Sequence, residues 1–199
     1  TQANMMRVPS KLYAITNKRE YLSTLEQTNR WVKQWLKQPH GYASAVSALS
    51  DGIEGAYYQL PQGVIQRDTQ AKAYFQYSRT NHLAPHTSLL SLKTLPEDWR
   101  ATEFVSIVQS YRDIATKPLI DEKVLVSWNA LYAIALMEAF TVTNDQMFFV
   151  QAEHLINSLW QHFFIEGRLF RSEFLGKVSI EAQFDDYALF ALALLKLSF

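Results

Sequence analysis

The chain has 199 residues, 48% of them hydrophobic and 14% aromatic, which suits one domain with a dense core and excludes a disordered chain. Its 19 lysines and arginines equal its 19 aspartates and glutamates, with no basic run, so neither nucleic acid nor an anionic membrane is an expected partner. Cysteine is absent, which excludes disulfides, thiolate metal sites and thiol catalysis.

No charge-free apolar segment reaches the ~20 residues of a membrane span, and no charged-then-apolar leader follows Thr1. A soluble protein is expected, with the cytoplasm favoured.

Residues 1–19 mix polar and apolar types without a sustained period and read as a loosely packed lead-in. From Glu20 to Gln38, apolar groups at Leu22, Leu25, Trp31, Val32, Trp35 and Leu36 predict one face of a helix, ended by Pro39 and Gly41. Residues 41–60 read as an irregular excursion with a hairpin at Asp51-Gly52 and a short strand at Ala56–Leu60. A helix with an aromatic face (Tyr74, Phe75, Tyr77) is predicted over Gln62–Arg79, and 80–95 is loop plus a short extended piece. Pro96-Glu97-Asp98 places a proline and two acids in the first turn of a helix running to about Ala115.

The stretch Asp121–Phe140 predicts the organising helix. After Asp121, Glu122 and Lys123 no charge occurs until Glu138, and apolar groups cover every side, as in a helix surrounded by protein. A short turn (Thr141–Asn144) leads to an amphipathic outer helix with its stripe at Phe148, Ala152, Leu155, Ile156, Leu159 and Phe163. Residues 168–174 and 177–180 around Gly176 predict a small hairpin, and Phe184–Phe199 predicts a second helix apolar all round. This alternation predicts a mainly α fold: a single domain over 1–199 forming a partial (α/α)6 toroid of helical hairpins with small β-hairpin excursions. The ring is incomplete, so the chain is expected to be an excerpt of a longer protein or to pack against flanking domains or a second copy.

In such a layout Asp121, Asp185 and Asp186 lie at the shared N-terminal end of parallel inner helices. Each alone reads as a helix cap worth about 0.5–2 kcal/mol. Together, beside Trp128, Phe184 and Tyr187, they also suit sugar chemistry, in which carboxylates act as acid, base or nucleophile and aromatic faces stack on C–H groups. Glu54 enters as a candidate general acid by elimination. The histidines add little: His154 and His162 lie eight apart, His82 and His86 have ligand-like spacing but Pro85 argues against a helix there and no third ligand is evident, and His40 beside Gly41 is placed towards the mouth. No metal and no cofactor is expected, and no nucleotide, zinc-protease or esterase motif occurs.

KPLIDEKVLVSWNALYAIALMEAF resembles the P-x-x-D-D-K-x-L-x-S-W-N-G-L signature of the YyaL-like proteins related to spermatogenesis-associated protein 20. EGRLFRSEF with FDDYALFALALL, and PHGYASAVSALSDGIEGAYYQL, resemble further segments of that family in matching order. The resemblance implies an (α/α)6 toroid like that of N-acylglucosamine 2-epimerases and six-hairpin glycosidases. It implies site roles for Asp121, Lys123, Trp128, Asn129, Asp186 and Tyr187, with Gly41, Glu54, Gly55 and Tyr58 also keeping the pattern. Ser47 and Leu49 replace two aspartates, Glu122 and Ala130 depart as well, and the family's thioredoxin-like domain has no counterpart in these residues.

The expected function is therefore a carbohydrate-related domain holding a small sugar-like ligand at the inner-helix mouth, related to sugar epimerases, isomerases or glycosidases. Asp121, Asp185 and Asp186 are its candidate catalytic groups, and Glu54, Lys123, Trp128, Asn129 and Tyr187 its candidate binding groups. The alternative is a non-catalytic helical protein-interaction module, a degenerate relative of the family.

Overall fold

The computed structural model describes residues 2–61, 63–66, 75–78, 87–92 and 103–198. In chain order they form α1 (Gln2–Thr16), α2 (Arg19–Trp35), β1 (Lys37–Gln38), β2 (Gly41–Val46), β3 (Leu49–Ser50), β4 (Ile53–Glu54), a 3-10 turn (Ala56–Tyr58) and β5 (Gln59–Pro61). There follow the four-residue α3 (Gly63–Gln66), β6 (Phe75–Ser78), β7 (Thr87–Leu92), α4 (Glu103–Ile114), β8 (Ile120–Leu125), α5 (Val126–Thr143) and α6 (Gln146–Phe163). The chain ends with β9 (Phe164–Ile165), β10 (Arg168–Phe174), β11 (Lys177–Glu181) and α7 (Phe184–Leu197). Two compact units result, one of residues 1–45 with 120–199 and one of residues 46–119.

The first unit is built around α5, which packs against α1, α6 and α7. Val126, Ala130, Ala133, Ala135, Leu136 and Ala139 have no exposed surface, as a helix without a polar face requires. Asn144 closes α5 in the left-handed conformation, its N–H donating to the Phe140 carbonyl at 2.8 Å. Asp145 then opens α6 by accepting from the Met147 N–H at 2.9 Å. All six residues of the predicted α6 stripe are buried. α5 and α7 run parallel. Near their starts the Ser127 N–H meets Asp186, and near their ends Lys196 lies 3.7 Å from Glu138. Glu138 also accepts from Arg7 of α1 at 2.9 and 3.1 Å, so the one charge of α5 joins three helices.

The expected mainly α partial toroid is corrected by the sheet. Six strands join in the order β1-β2-β8-β10-β11, with β9 also on β10, so the fold is mixed helix and sheet. The β1/β2, β8/β10, β9/β10 and β10/β11 pairs are antiparallel. The physical reason lies at residues 120–125: they are extended, not the first turn of the organising helix, and β8 hydrogen-bonds to strands on both sides. The excursions are thereby stitched into one sheet instead of standing as separate hairpins.

Two further expectations change. Residues 2–16 form a helix, whose Met6 and Ser10 are fully buried, not a loose lead-in. α7 is not enclosed: Phe190 and Ala193 are buried, whereas Leu192 and Leu195 are 40% and 53% exposed.

In the second unit the predicted hairpin at Asp51-Gly52 is present as β3 and β4. Both turn residues have positive φ (52° and 74°), as a two-residue hairpin turn demands. Residues 62–79, expected as one helix, hold α3 and the strand β6, which pairs with β7, while β7 also pairs with β5. Residues 96–102 of the predicted later helix, and Tyr74, lie outside the described residues, and 103–114 are helical.

A buried polar network joins α2, β2, α5 and α6. The Tyr132 hydroxyl donates to Asn29, and the Gln151 side-chain amide lies 2.9 Å from the Tyr132 hydroxyl, 3.1 Å from Asn29 and 3.1 Å from the Tyr42 hydroxyl. Burial pushes the Tyr132 phenol far above its usual value, with Tyr42 adding and Gln151 opposing, and burial raises Tyr42 as well.

The unfolded chain releases the Tyr132 proton near pH ~10 while the folded chain keeps it. The stabilisation from Tyr132 is therefore complete below that pH and declines above it, by up to about 1.4 kcal/mol per pH unit, and Tyr42 acts in the same direction. Tyr132→Phe is expected to lower the slope of stability against pH by about that amount, measured by urea unfolding between pH ~10 and ~11. An unchanged slope would show that Tyr132 titrates freely in the fold.

Candidate functional site

The sequence signal at Ser127, Trp128 and Asn129 resolves into three separate tasks. The Ser127 N–H, in the first turn of α5, donates to Asp186 Oδ1 at 3.2 Å. The Trp128 ring points outward and is 54% exposed. The Asn129 amide is buried and pairs with strand β2 as a peptide would: its oxygen accepts from the Tyr42 N–H at 2.8 Å, and its NH2 donates to the Tyr42 carbonyl at 3.0 Å and to that of Leu125 at 2.9 Å. Gly41 is required beside it, since a Cβ there would lie 2.8 Å from Val124 Cγ1 and 2.9 Å from Asn129 Oδ1.

Asp186 is fully buried. Its Oδ2 accepts from the Gln183 N–H at 3.0 Å and from Arg171 Nη1 at 3.1 Å, in addition to the Ser127 bond on Oδ1. One carboxylate thus satisfies a first-turn amide of α5 and the cap amide before α7, and anchors a side chain of β10. Asp185, beside it, is exposed, and Arg171 grips it with contacts of 3.2 and 3.4 Å. Phe184 is 87% and Tyr187 47% exposed, and the Tyr187 hydroxyl accepts from the Leu169 N–H at 3.3 Å.

Asp185, Asp186, Trp128 and Tyr187 are therefore brought to the common N-terminal end of α5 and α7, around Arg171. Asp121 and Lys123 are not. They lie on β8, with Asp121 about 13 Å along the strand from Leu125 at ~3.3 Å per residue. Lys123 Nζ pairs with Asp121 at 3.2 Å and lies 5.9 Å from the centre of the Phe174 ring. Partial burial raises the Asp121 carboxyl, but hydrogen bonds from Lys123 and Ser44, with the Lys123 charge, outweigh it and hold it below its usual value. Glu54 belongs to the second unit, on β4, exposed; its backbone carbonyl accepts from Gln59 at 3.0 Å. Ser47 and Leu49 form a local turn, with the Ser47 hydroxyl accepting from the Leu49 N–H at 3.0 Å.

Two hollows lie elsewhere in the first unit. A groove of about 650 Å³ runs between the β1–β2 turn and α6, lined among others by Lys37, Tyr42, Gln151 and His154. A second, of about 450 Å³, is lined by His40, His154, Asn157, Ser158, Gln161 and His162. His40 and His162 meet Glu173 there, a gathering that residue spacing could not reveal because each comes from a different element. Comparison with protein-family models and with curated proteins finds no match.

The two adjacent aspartates should separate cleanly on substitution. Asp186→Ala leaves two helix-start amides without their acceptor, takes one of the two carboxylates from Arg171, and is expected to cost about 2–4 kcal/mol. Asp185→Ala removes an exposed pair and should cost no more than about 1 kcal/mol. Urea unfolding of both variants checks this, and similar losses would show that Asp186 is no tighter a cap than its neighbour.

Proposed function

We propose that the chain binds a small sugar-like ligand on the open surface at the N-terminal ends of α5 and α7, formed by Trp128, Phe184 and Tyr187 with the Arg171–Asp185 pair. The single observation that carries this reading is that three aromatic side chains stay exposed at the starts of the two parallel helices, where Arg171 also pairs with Asp185, two groups suited to hydroxyl recognition. Sugar rings present C–H faces that stack on aromatics and hydroxyls that bridge a guanidinium and a carboxylate. The resemblance of the Ser127–Asn129 and Asp185–Tyr187 segments to the YyaL-like family leads to the same ligand class.

Binding is a better description of this surface than turnover. Epimerase, isomerase or glycosidase chemistry needs an accessible acid or base, commonly two carboxyl groups a few ångströms apart across the substrate. Asp186 has no exposed atom to offer, and Asp185 already faces Arg171.

A second reading, a protein-interaction module, has its own support. α7 leaves Ala188, Ala191, Leu192 and Leu195 exposed at helical spacing, and α1 leaves Met5, Val8 and Ile15. Uncovered apolar stripes of this kind favour association. Sedimentation at rising concentration distinguishes the two, since a monomer throughout removes self-association.

For the sugar reading, ligand-observed NMR with a panel of hexoses and N-acetylhexosamines is expected to show saturable binding. Trp128→Ala should weaken it about tenfold, the loss of one stacking contact, while leaving the melting temperature unchanged. No saturable binding by any member, or full binding by the variant, contradicts this reading.

A further inference from the structure

Three side chains distant in sequence converge beside the end of α6. His40 occupies the turn between β1 and β2, His162 the last turn of α6, and Glu173 the length of β10 that pairs with Val124 and Val178. Glu173 is buried, yet its Oε2 lies 3.0 Å from His40 Nδ1 and 3.0 Å from His162 Nε2. The three candidate donor atoms all lie within 4.8 Å of one another. The His40 contact is a hydrogen bond. The His162 contact is equally short but not aligned as one, so His162 Nε2 is a buried nitrogen with no hydrogen-bond partner among the described residues.

We propose that His40 Nδ1, His162 Nε2 and Glu173 Oε2 are the protein ligands of a divalent transition-metal site that takes Zn²⁺. Two imidazoles and one carboxylate are a ligand set that zinc accepts, with a fourth position left for water. Metal–ligand bonds of about 2.0–2.2 Å put the ligand atoms of a tetrahedral ion roughly 3.3–3.6 Å apart, so the two observed separations of 3.0 Å need open by only a few tenths of an ångström on loading. A cation between the groups also supplies what the buried carboxylate and the unpartnered nitrogen lack, a shared positive centre.

The surroundings suit a loaded site. The hollow lined by His40, Ser158 and His162 opens towards solvent and gives the ion a way in. The Ser158 hydroxyl donates to the His40 carbonyl at 3.1 Å and holds the turn that carries the ligand. The two imidazoles are stacked, 3.5 Å between centres and 15° from parallel, so one ring must turn for both lone pairs to converge. His40 has the room, since its side chain is 38% exposed on a two-residue turn.

The set is independent of the sugar surface, because it shares no residue with it. A chelator-treated, tag-free full chain titrated with ZnCl₂ in a calorimeter is expected to bind one equivalent and to gain several degrees in melting temperature. His40→Ala and Glu173→Gln should each weaken that binding by at least about tenfold, as loss of one of three ligands does. Absence of saturable uptake by the wild-type chain overturns the proposal, and so does undiminished binding by His40→Ala. The wild-type titration needs no variant to fold, and His40→Ala alters only a turn.

Discussion

The first unit depends on where one negative charge is buried. α5 begins directly at the end of β8: Leu125, its cap residue, is extended and supplies no side-chain hydrogen bond to the helix start. The acceptor comes instead from another element. Asp186 reaches the Ser127 amide, while its other oxygen takes the Gln183 amide of α7 and the guanidinium of Arg171. Without that carboxylate, the amides at two helix starts would lose their acceptor and Arg171 would keep only the exposed Asp185. The bond also fixes the register of α5 against α7, so that Lys196 can reach Glu138 at the far end.

Around this fixed pair the sheet explains the rest of the placement. β8 carries Asp121 and Lys123 away from the helix start, and Asn129 binds the backbone of β2 as though it were one more strand residue. Gly41 leaves the room for that amide. β10 contributes Arg171 to the Asp185–Asp186 side and Glu173 to the histidine side, two residues apart along one strand. Two adjacent chemistries are thus set by one length of chain.

Much of this was legible. The all-round apolar pattern of 126–140 located the buried helix, the six-residue stripe located its outer partner, and Asp51-Gly52 and Gly176 located hairpins. What was not legible has identifiable causes. The charges at 121–123 resemble the acidic start of a helix, but strand pairing with β2 and β10 decides their conformation, and pairing is a property of residues far off in sequence. Residues 2–16 hide their period because Met5, Val8 and Ile15 are exposed while Met6 is buried, so apolar residues occupy both faces. The same pattern in α7 suggested enclosure, whereas Leu192 and Leu195 remain uncovered.

At the site, proximity of Trp128, Asp186 and Tyr187 was implied by their positions at two helix starts, and the role of each was not. Whether a first-turn aspartate faces solvent, as Asp185 does, or an adjoining helix, as Asp186 does, is set by a rotation of 100° about the helix axis. His40, His162 and Glu173 carried no local signal at all.

The most direct measurement is native-state hydrogen exchange at the Ser127 and Gln183 amides. The first is a first-turn donor of α5 and the second the cap amide of α7, and neither meets a backbone carbonyl of its own helix. If the buried carboxylate organises the unit, both exchange only as slowly as the core of α5 opens, and Asp186→Asn speeds them together. Exchange at the rate of an exposed amide in the unmodified chain would contradict the account.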